Sequence, residues 1–202
     1  MRKITKEDLF QMAKVPRLNL VNCLTGYKSA NLIGTISAEG VLNVAIFSSV
    51  THLGSEPPLL GFILRPMTVP RDTYKNIKEI GYFTVNHITE EMIADAHHTS
   101  SSYEEPISEF DKTKLESEFI DHHKVPFVKG SPVKLLCKYV NEYKIIENDC
   151  IHIIASIETI YADKNLFHDD NWMQLDKGNI VAINGLDGYA VPKLTDRFHY
   201  AR

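Results

Sequence analysis

The spacing of apolar runs early in the chain leaves little choice of architecture. NLVNCLT (19–25), NLIGTIS (31–37), LNVAIFSS (42–49) and LLGFILR (59–65) are rich in aliphatic and β-branched residues and read as strands. Gly26-Tyr27-Lys28-Ser29, Ala38-Glu39-Gly40 and a polar segment, SVTHLGSEPP (49–58), separate them. Parallel strands need a crossover of roughly a dozen residues or more, whereas separators this short suit hairpins and meanders. Two longer runs follow, PVKLLCKYVNEYKIIEN (132–148) and CIHIIASIETIYA (150–162), with turn chemistry at Asn148-Asp149 between them. In the second, Ile151, Ile153, Ala155, Ile157 and Thr159 alternate with His152, Ile154, Ser156, Glu158 and Ile160. One face is apolar and the other mixed, as in a barrel wall.

Helical patterns are inserted between the strands. TKEDLFQMA (5–13) has Thr5 as its cap, acids in its first turn and Pro16 beyond its end. RDTYKNIKEIG (71–81) has Asp72 as N-cap, Ile77 and Ile80 on one face and Gly81 at its close. YFTVNHI (82–88) is a further strand, and TEEMIADAHH (89–98) a helix capped by Thr89. The polar stretch 99–119 reads as a partly irregular surface excursion, and NIVAINGL (179–186) fits strand or helix. No G-x-G-x-x-G follows an early strand, which argues against a dinucleotide-binding parallel sheet. The pattern predicts a mainly β chain: an antiparallel β-barrel with peripheral helices, in a single domain spanning residues 1–202.

Composition removes some functions. The 202-residue chain has a net charge of -4, so no basic excess points to nucleic acid. Cys23, Cys137 and Cys150 form no C-x-x-C pair and read as reduced core or near-core residues. The polar N-terminus and the lack of a long apolar run predict a cytoplasmic protein without a membrane span.

Two segments carry candidate binding chemistry. In the first, Ala45, Ser48 and Ser49 precede Gly54 and Ser55, small residues that let a flat ligand approach the main chain. Pro57 and Pro58 hold the exit of that polar loop without offering N–H groups. A rigid structural turn explains the same residues. In the second, Arg65, Thr68, Arg71 and Thr73 gather at the start of the helix over 71–81. Helix N-terminal amides and arginine forks suit a phosphate, although Arg71 also fits a solvated charge and Thr73 a plain cap. Adjacent histidines, His97-His98 and His122-His123, point about 100° apart on a helix and are not ready-made chelates. FHDDNW (167–172) is explained as well by turn composition, so no metal site is expected. No G-x-S-x-G frames a serine nucleophile, and no catalytic side chain is assigned.

Together, SANLIGTISAEGVLNVAIFSSVTHLGSEPPLLGFILRP, RDTYKNIKEIGYFTVNHI and AHHTSSSYEEPISEF resemble the flavin reductase-like family of FMN-binding split barrels, its flavoredoxin-type branch above all. The likeness is strong over about residues 17–120 and continues weakly to GLDGYAVPKLTDRFHYAR. It implies a six-stranded antiparallel split barrel of Greek-key character and a homodimer with FMN near the subunit interface. By this resemblance, main chain around Ser29, Ala30, Asn31 and Leu32 and around Ala45, Ile46, Phe47, Ser48, Ser49 and Val50 surrounds the isoalloxazine, with Ser55 nearby. Arg65, Arg71 and Thr73 hold the phosphate, and His98 and Ser100 approach the flavin from the same or the second subunit. The chain departs from the family's S-x-S-x-D-P-P, having His52-Leu53-Gly54-Ser55-Glu56-Pro57-Pro58, so His52 stands in as a donor. The implied activity is transfer of hydride from NADH or NADPH through bound FMN to a small-molecule or protein electron acceptor. The alternatives are an FMN-binding electron carrier without its own nicotinamide site, and a flavin-free hydrolase or structural barrel.

Overall fold

The computed structural model describes residues 1–101, 103 and 106–199. The quoted stretches AHHTSSSYEEPISEF and GLDGYAVPKLTDRFHYAR therefore lie partly outside the described residues. The chain begins with helices α1 (Lys6–Gln11) and α2 (Lys14–Cys23). Strands β1 (Lys28–Ser29), β2 (Asn31–Ile36), β3 (Leu42–Phe47), β4 (Thr51–Ser55) and β5 (Pro58–Leu64) follow. Next come α3 (Asp72–Ile80), β6 (Tyr82–His87), α4 (Ile93–His98), β7 (Ser117–Glu118) and β8 (Phe127–Val128). The long pair β9 (Val133–Ile145) and β10 (Cys150–Ala162) precedes β11 (Ala182–Asn184) and β12 (Gly188–Ala190).

Seven strands form one antiparallel sheet in the order β3-β2-β6-β9-β10-β5-β4. The hairpin β4–β5 crosses to the far edge while β6 returns beside β2, which is the expected Greek-key character. Side chains from five strands meet inside the curl: Ile33, Phe62, Phe83, Cys137 and Ile153, all fully buried. Phe62 touches Phe47 and Phe83 edge-on, with ring centroids 5.2 and 5.6 Å away. Burying each such ring is worth about 1.5–3 kcal/mol, so the sheet closes on itself because the inner faces of these five strands are apolar. Two register shifts between β9 and β10 increase the local twist that this curvature needs. A second core, with Leu32, Val44, Ile88, Ala96 and Val181, lies on the outer side of β2 and β3. The strands β1, β11 and β12 form a small separate sheet that joins the two ends of the chain.

Several expectations are met. Thr5 and Asp8 form a reciprocal capping box at α1. Gly81 closes α3 in the left-handed region at φ 77°, and Asn148-Asp149 turns β9 into β10. Residues 182–184 are strand. Others are corrected. The run 19–25 is not a strand; most of it lies in α2, and Pro16, beyond the end of α1 as expected, sits in the first turn of this second helix. A first-turn proline loses no hydrogen bond, and the run's Leu, Asn and Cys residues have no strand preference. The polar segment after residue 49 is not a loop but an edge strand, β4, hairpinned to β5 through Glu56-Pro57 and making the seventh strand. Helix α3 takes Arg71 as its N-cap, with Asp72 its first residue. Thr89 precedes a 3-10 turn, Glu90–Met92, before α4, and makes no side-chain cap bond. Cys23 is exposed, whereas Cys137 is in the barrel core, where burial pushes its thiol well up.

Candidate functional site

The edges of the seven-stranded sheet, β3 and β4, are joined by residues 48–50, so the barrel has a seam there. Side chains bridge it. The Ser49 hydroxyl donates to the Ile63 carbonyl (3.2 Å) and accepts from the Ile63 N–H (3.0 Å), tying the end of β3 to β5. Ser29 Oγ donates to the Val50 carbonyl at 3.1 Å, and Asn31 Nδ2 donates to Ser29 Oγ at 2.9 Å. The residues expected around a flat ligand, Ser29 to Leu32 and Ala45 to Val50, are thus brought together at one end of the barrel. Ala30 and Leu32 turn their side chains into the outer core, so only their main chain is available. Asn31 Oδ1 is buried and has no hydrogen-bond partner.

The free edge of β3 is covered by side chains instead of a strand. Thr99 Oγ1, at the end of α4, accepts from the Ile46 N–H at 3.0 Å and donates to the Ala96 carbonyl at 2.7 Å. Glu109 Oε2, in the 3-10 turn Glu109–Asp111, accepts from the Val44 N–H at 3.1 Å. Burial pushes the Glu109 carboxyl up from its ordinary value despite that bond. Neither residue is among the candidates named from the sequence, although both lie in the quoted stretch AHHTSSSYEEPISEF.

The start of α3 has Arg71 as its N-cap and Asp72 as its first residue. Arg71 Nε is buried without a hydrogen-bond partner, Arg65 is exposed just beyond β5, and the first-turn amides of a helix have no intrahelical acceptor. Thr73, expected to hold the phosphate, lies in the first turn of α3. It is buried and accepts from Asn43 Nδ2 at 3.2 Å, within a network in which Thr35 Oγ1 accepts from Asn43 and Asn76 at 2.9 and 3.1 Å. That network anchors the helix start against β2 and β3. Thr68 lines a recess of about 440 Å³ with Met67, Lys144, Asp149 and Ile151.

The remaining candidates are engaged locally. His98 Nε2 meets the Tyr103 hydroxyl at 2.5 Å, His97 Nδ1 meets Tyr189 at 2.9 Å, and Ser100 Oγ donates to the His97 carbonyl. Ser55 and His52 are 3.2 Å apart on exposed β4. Among the described residues, no three His, Cys, Asp or Glu side chains converge as a metal site. His87 was not singled out. It lies opposite Asn31 in the ladder, at a recess of about 280 Å³ lined also by Tyr27, Asp176 and Pro192. Burial lowers its imidazole to about 4, so it is neutral at physiological pH.

Residues 27–176, most of the chain, match the flavin reductase like domain. The chain belongs to that family. A protein with a flavin reductase split barrel domain from Shewanella frigidimarina superimposes with a TM-score of 0.96 at 38% identity, covering 100% of both chains. The flavoredoxin of Desulfovibrio vulgaris shares the fold at a TM-score of 0.78 and 19% identity, over 100% of this chain and 98% of that one. The uncharacterized protein YwrF of Bacillus subtilis is 29% identical over 177 residues, 84% of this chain and 85% of its own. The flavin reductase-like split barrel expected from the sequence motifs is therefore the observed fold. Among the described residues, no helix is long and apolar enough to cross a membrane.

Proposed function

We propose that this flavin reductase-like chain binds FMN at the barrel seam and is an oxidoreductase that takes hydride from NADH or NADPH and delivers electrons to a small-molecule or protein acceptor. The observation that carries the reading is the start of α3, where Arg71 Nε lies buried and unpaired beside helix N-terminal amides. A buried guanidinium nitrogen left without an acceptor is costly, and a phosphate group relieves that cost. Arg65 and Arg71 hold the phosphate in this reading, and residues 45–50 face the ring. FMN supplies the redox chemistry when bound; the chain supplies position, donors and exclusion of water. Thr73 acts through the buried network that fixes the helix start.

We also propose a homodimer. Neither α1 nor α2 buries a residue, and Phe10, Val15, Val21 and Leu24 are exposed. Isolated helices this short are marginal in water, so they require a packing surface. Residues 1–17 carry five basic and two acidic side chains in a chain of net charge -4, which favours the more acidic body of a second copy.

The test is an anaerobic titration with FMN, followed by NADH and then NADPH, read by flavin absorbance. Bound flavin that bleaches with one nucleotide supports the reductase and identifies its donor. Bound flavin that neither nucleotide bleaches replaces it with an electron carrier reduced by a partner. Arg65→Ala and Arg71→Ala should each weaken FMN binding by about 1.5–3 kcal/mol, the worth of a charge-assisted bond. Unchanged affinity in both removes the phosphate assignment.

A further inference from the structure

Antiparallel pairing makes the amides of β3 alternate. One set bonds β2, and the other points off the free edge of the sheet. The structure shows where that outward set goes. The Val44 N–H is taken by Glu109 Oε2 and the Ile46 N–H by Thr99 Oγ1. The next position in the row is Ser48, just past the end of the strand. Its N–H has no hydrogen-bond partner among the described residues. Two side chains brought from α4 and the 3-10 turn thus satisfy the middle of the row, at Val44 and Ile46, and reach neither Leu42 at its start nor Ser48 at its end beside the seam.

From this row we infer that Thr99 and Glu109 are positioning residues that hold β3 so that the Ser48 amide is a hydrogen-bond donor to an acceptor atom of the flavin ring. The inference rests on the FMN reading above. An exposed sheet edge without partners frays or recruits a foreign strand. Side-chain acceptors at residues 44 and 46 prevent both and leave the amide at 48 aimed and unspent. Preorganised backbone donors of this kind need no reorganisation when a ligand arrives. Thr99 is well suited to the role because its hydroxyl is fixed from both sides: it donates to Ala96 and so presents its lone pair to Ile46. Glu109 is the second clamp, and Thr113 Oγ1 holds its backbone by donating to the Glu109 carbonyl at 2.8 Å.

The test is residue-resolved amide hydrogen exchange on the full-length protein, with and without FMN, together with FMN titrations of Thr99→Val and Thr99→Ser. In the flavin-free wild type, Val44 and Ile46 should be protected and Ser48 should exchange freely. FMN should slow Ser48. Thr99→Val should expose Ile46, weaken FMN binding by roughly tenfold and alter the bound flavin's absorbance spectrum, and Thr99→Ser should restore all three. A Ser48 amide unaffected by bound FMN overturns the donor assignment without touching FMN binding itself. A Thr99→Val protein with Ile46 exposed but wild-type affinity and spectrum overturns the positioning role. Wild-type protein that takes up no FMN at all removes the functional reading, and the inference with it.

Discussion

Replacing Gly34 with alanine tests how tightly the outer core is clamped to the barrel. A Cβ at this position would lie 2.3 Å from the Pro126 carbonyl oxygen and 2.6 Å from Thr84 Oγ1, whereas real Cβ atoms essentially never come within 3.0 Å of another heavy atom. Neither strand neighbour can yield cheaply, because Gly34 is paired with Val44 on one side and Thr84 on the other. The 125–128 segment must retreat instead. Its movement would break the 2.6 Å bond from the Thr84 hydroxyl to the Pro126 carbonyl and strain the 3.0 Å bond from the Val128 N–H to Asn86 Oδ1, both buried. Overpacking costs about 1–3 kcal/mol and a buried unsatisfied polar group another ~1–3 kcal/mol, so Gly34→Ala should destabilise by roughly 2–6 kcal/mol. That is a large share of the ~5–15 kcal/mol available to a typical domain. Urea unfolding should show a lower midpoint at an unchanged slope. Thr84→Val, which removes the bond without adding the clash, should cost only about 1–3 kcal/mol. If Gly34→Ala loses less than Thr84→Val, the close approach is not the constraint described.

Other perturbations separate charge from shape. Ser49→Ala should cost about 1–3 kcal/mol in urea unfolding by freeing both polar groups of Ile63, and Ser49→Thr should recover most of it. Glu109 has a carboxyl pKa raised by burial, so its stability contribution is full at low pH and is lost as pH rises from the ordinary carboxyl value through the raised one. Glu109→Gln should flatten that decline while keeping an acceptor for Val44, and Glu109→Ala should destabilise at every pH; a Gln variant with the wild-type pH profile would contradict this. His87 works in the opposite direction: with its pKa depressed to about 4, its contribution is present above about 6.5 and falls as pH drops between those values. His87→Gln should remove up to ~1.4 kcal/mol per pH unit of slope in thermal or urea unfolding across that window, and an unchanged slope would place the imidazole in solvent.

What could be read from the sequence was whatever depends on near neighbours. Alternation in β10, the left-handed Gly81 and the Asn148-Asp149 turn are local properties, and the motifs around residues 31–65 carried the split barrel with them. Residues 19–25 misled because a helix with no buried face leaves no periodic signature, and Leu and Asn suit either state. β4 was hidden for a related reason: it is an edge strand, and polar composition on an edge looks like a loop. The candidate site was legible as chain segments but not as bonds. Nothing in Thr99 or Glu109 announces that its acceptor will meet an amide 53 or 65 residues away. Thr73 shows the converse: its place at a helix start suggested a ligand contact, and the fold directed its hydroxyl inward to Asn43.

The small sheet that joins the two ends of the chain has a consequence for biosynthesis. Lys28 and Ser29 of β1 pair with Ile183 and Ala182 of β11, and Lys28 Nζ also reaches the Gly185 carbonyl at 3.2 Å. A chain emerging from the ribosome presents β1 long before its partner strand β11, which follows all seven strands of the large sheet. The barrel can curl as soon as β10 is out, whereas Ser29, the residue that ties Val50 across the seam, cannot be held from its other side until β11 arrives. Translation order therefore separates the two events: the wall forms first, and the small sheet that holds Ser29 is finished by β11 and β12.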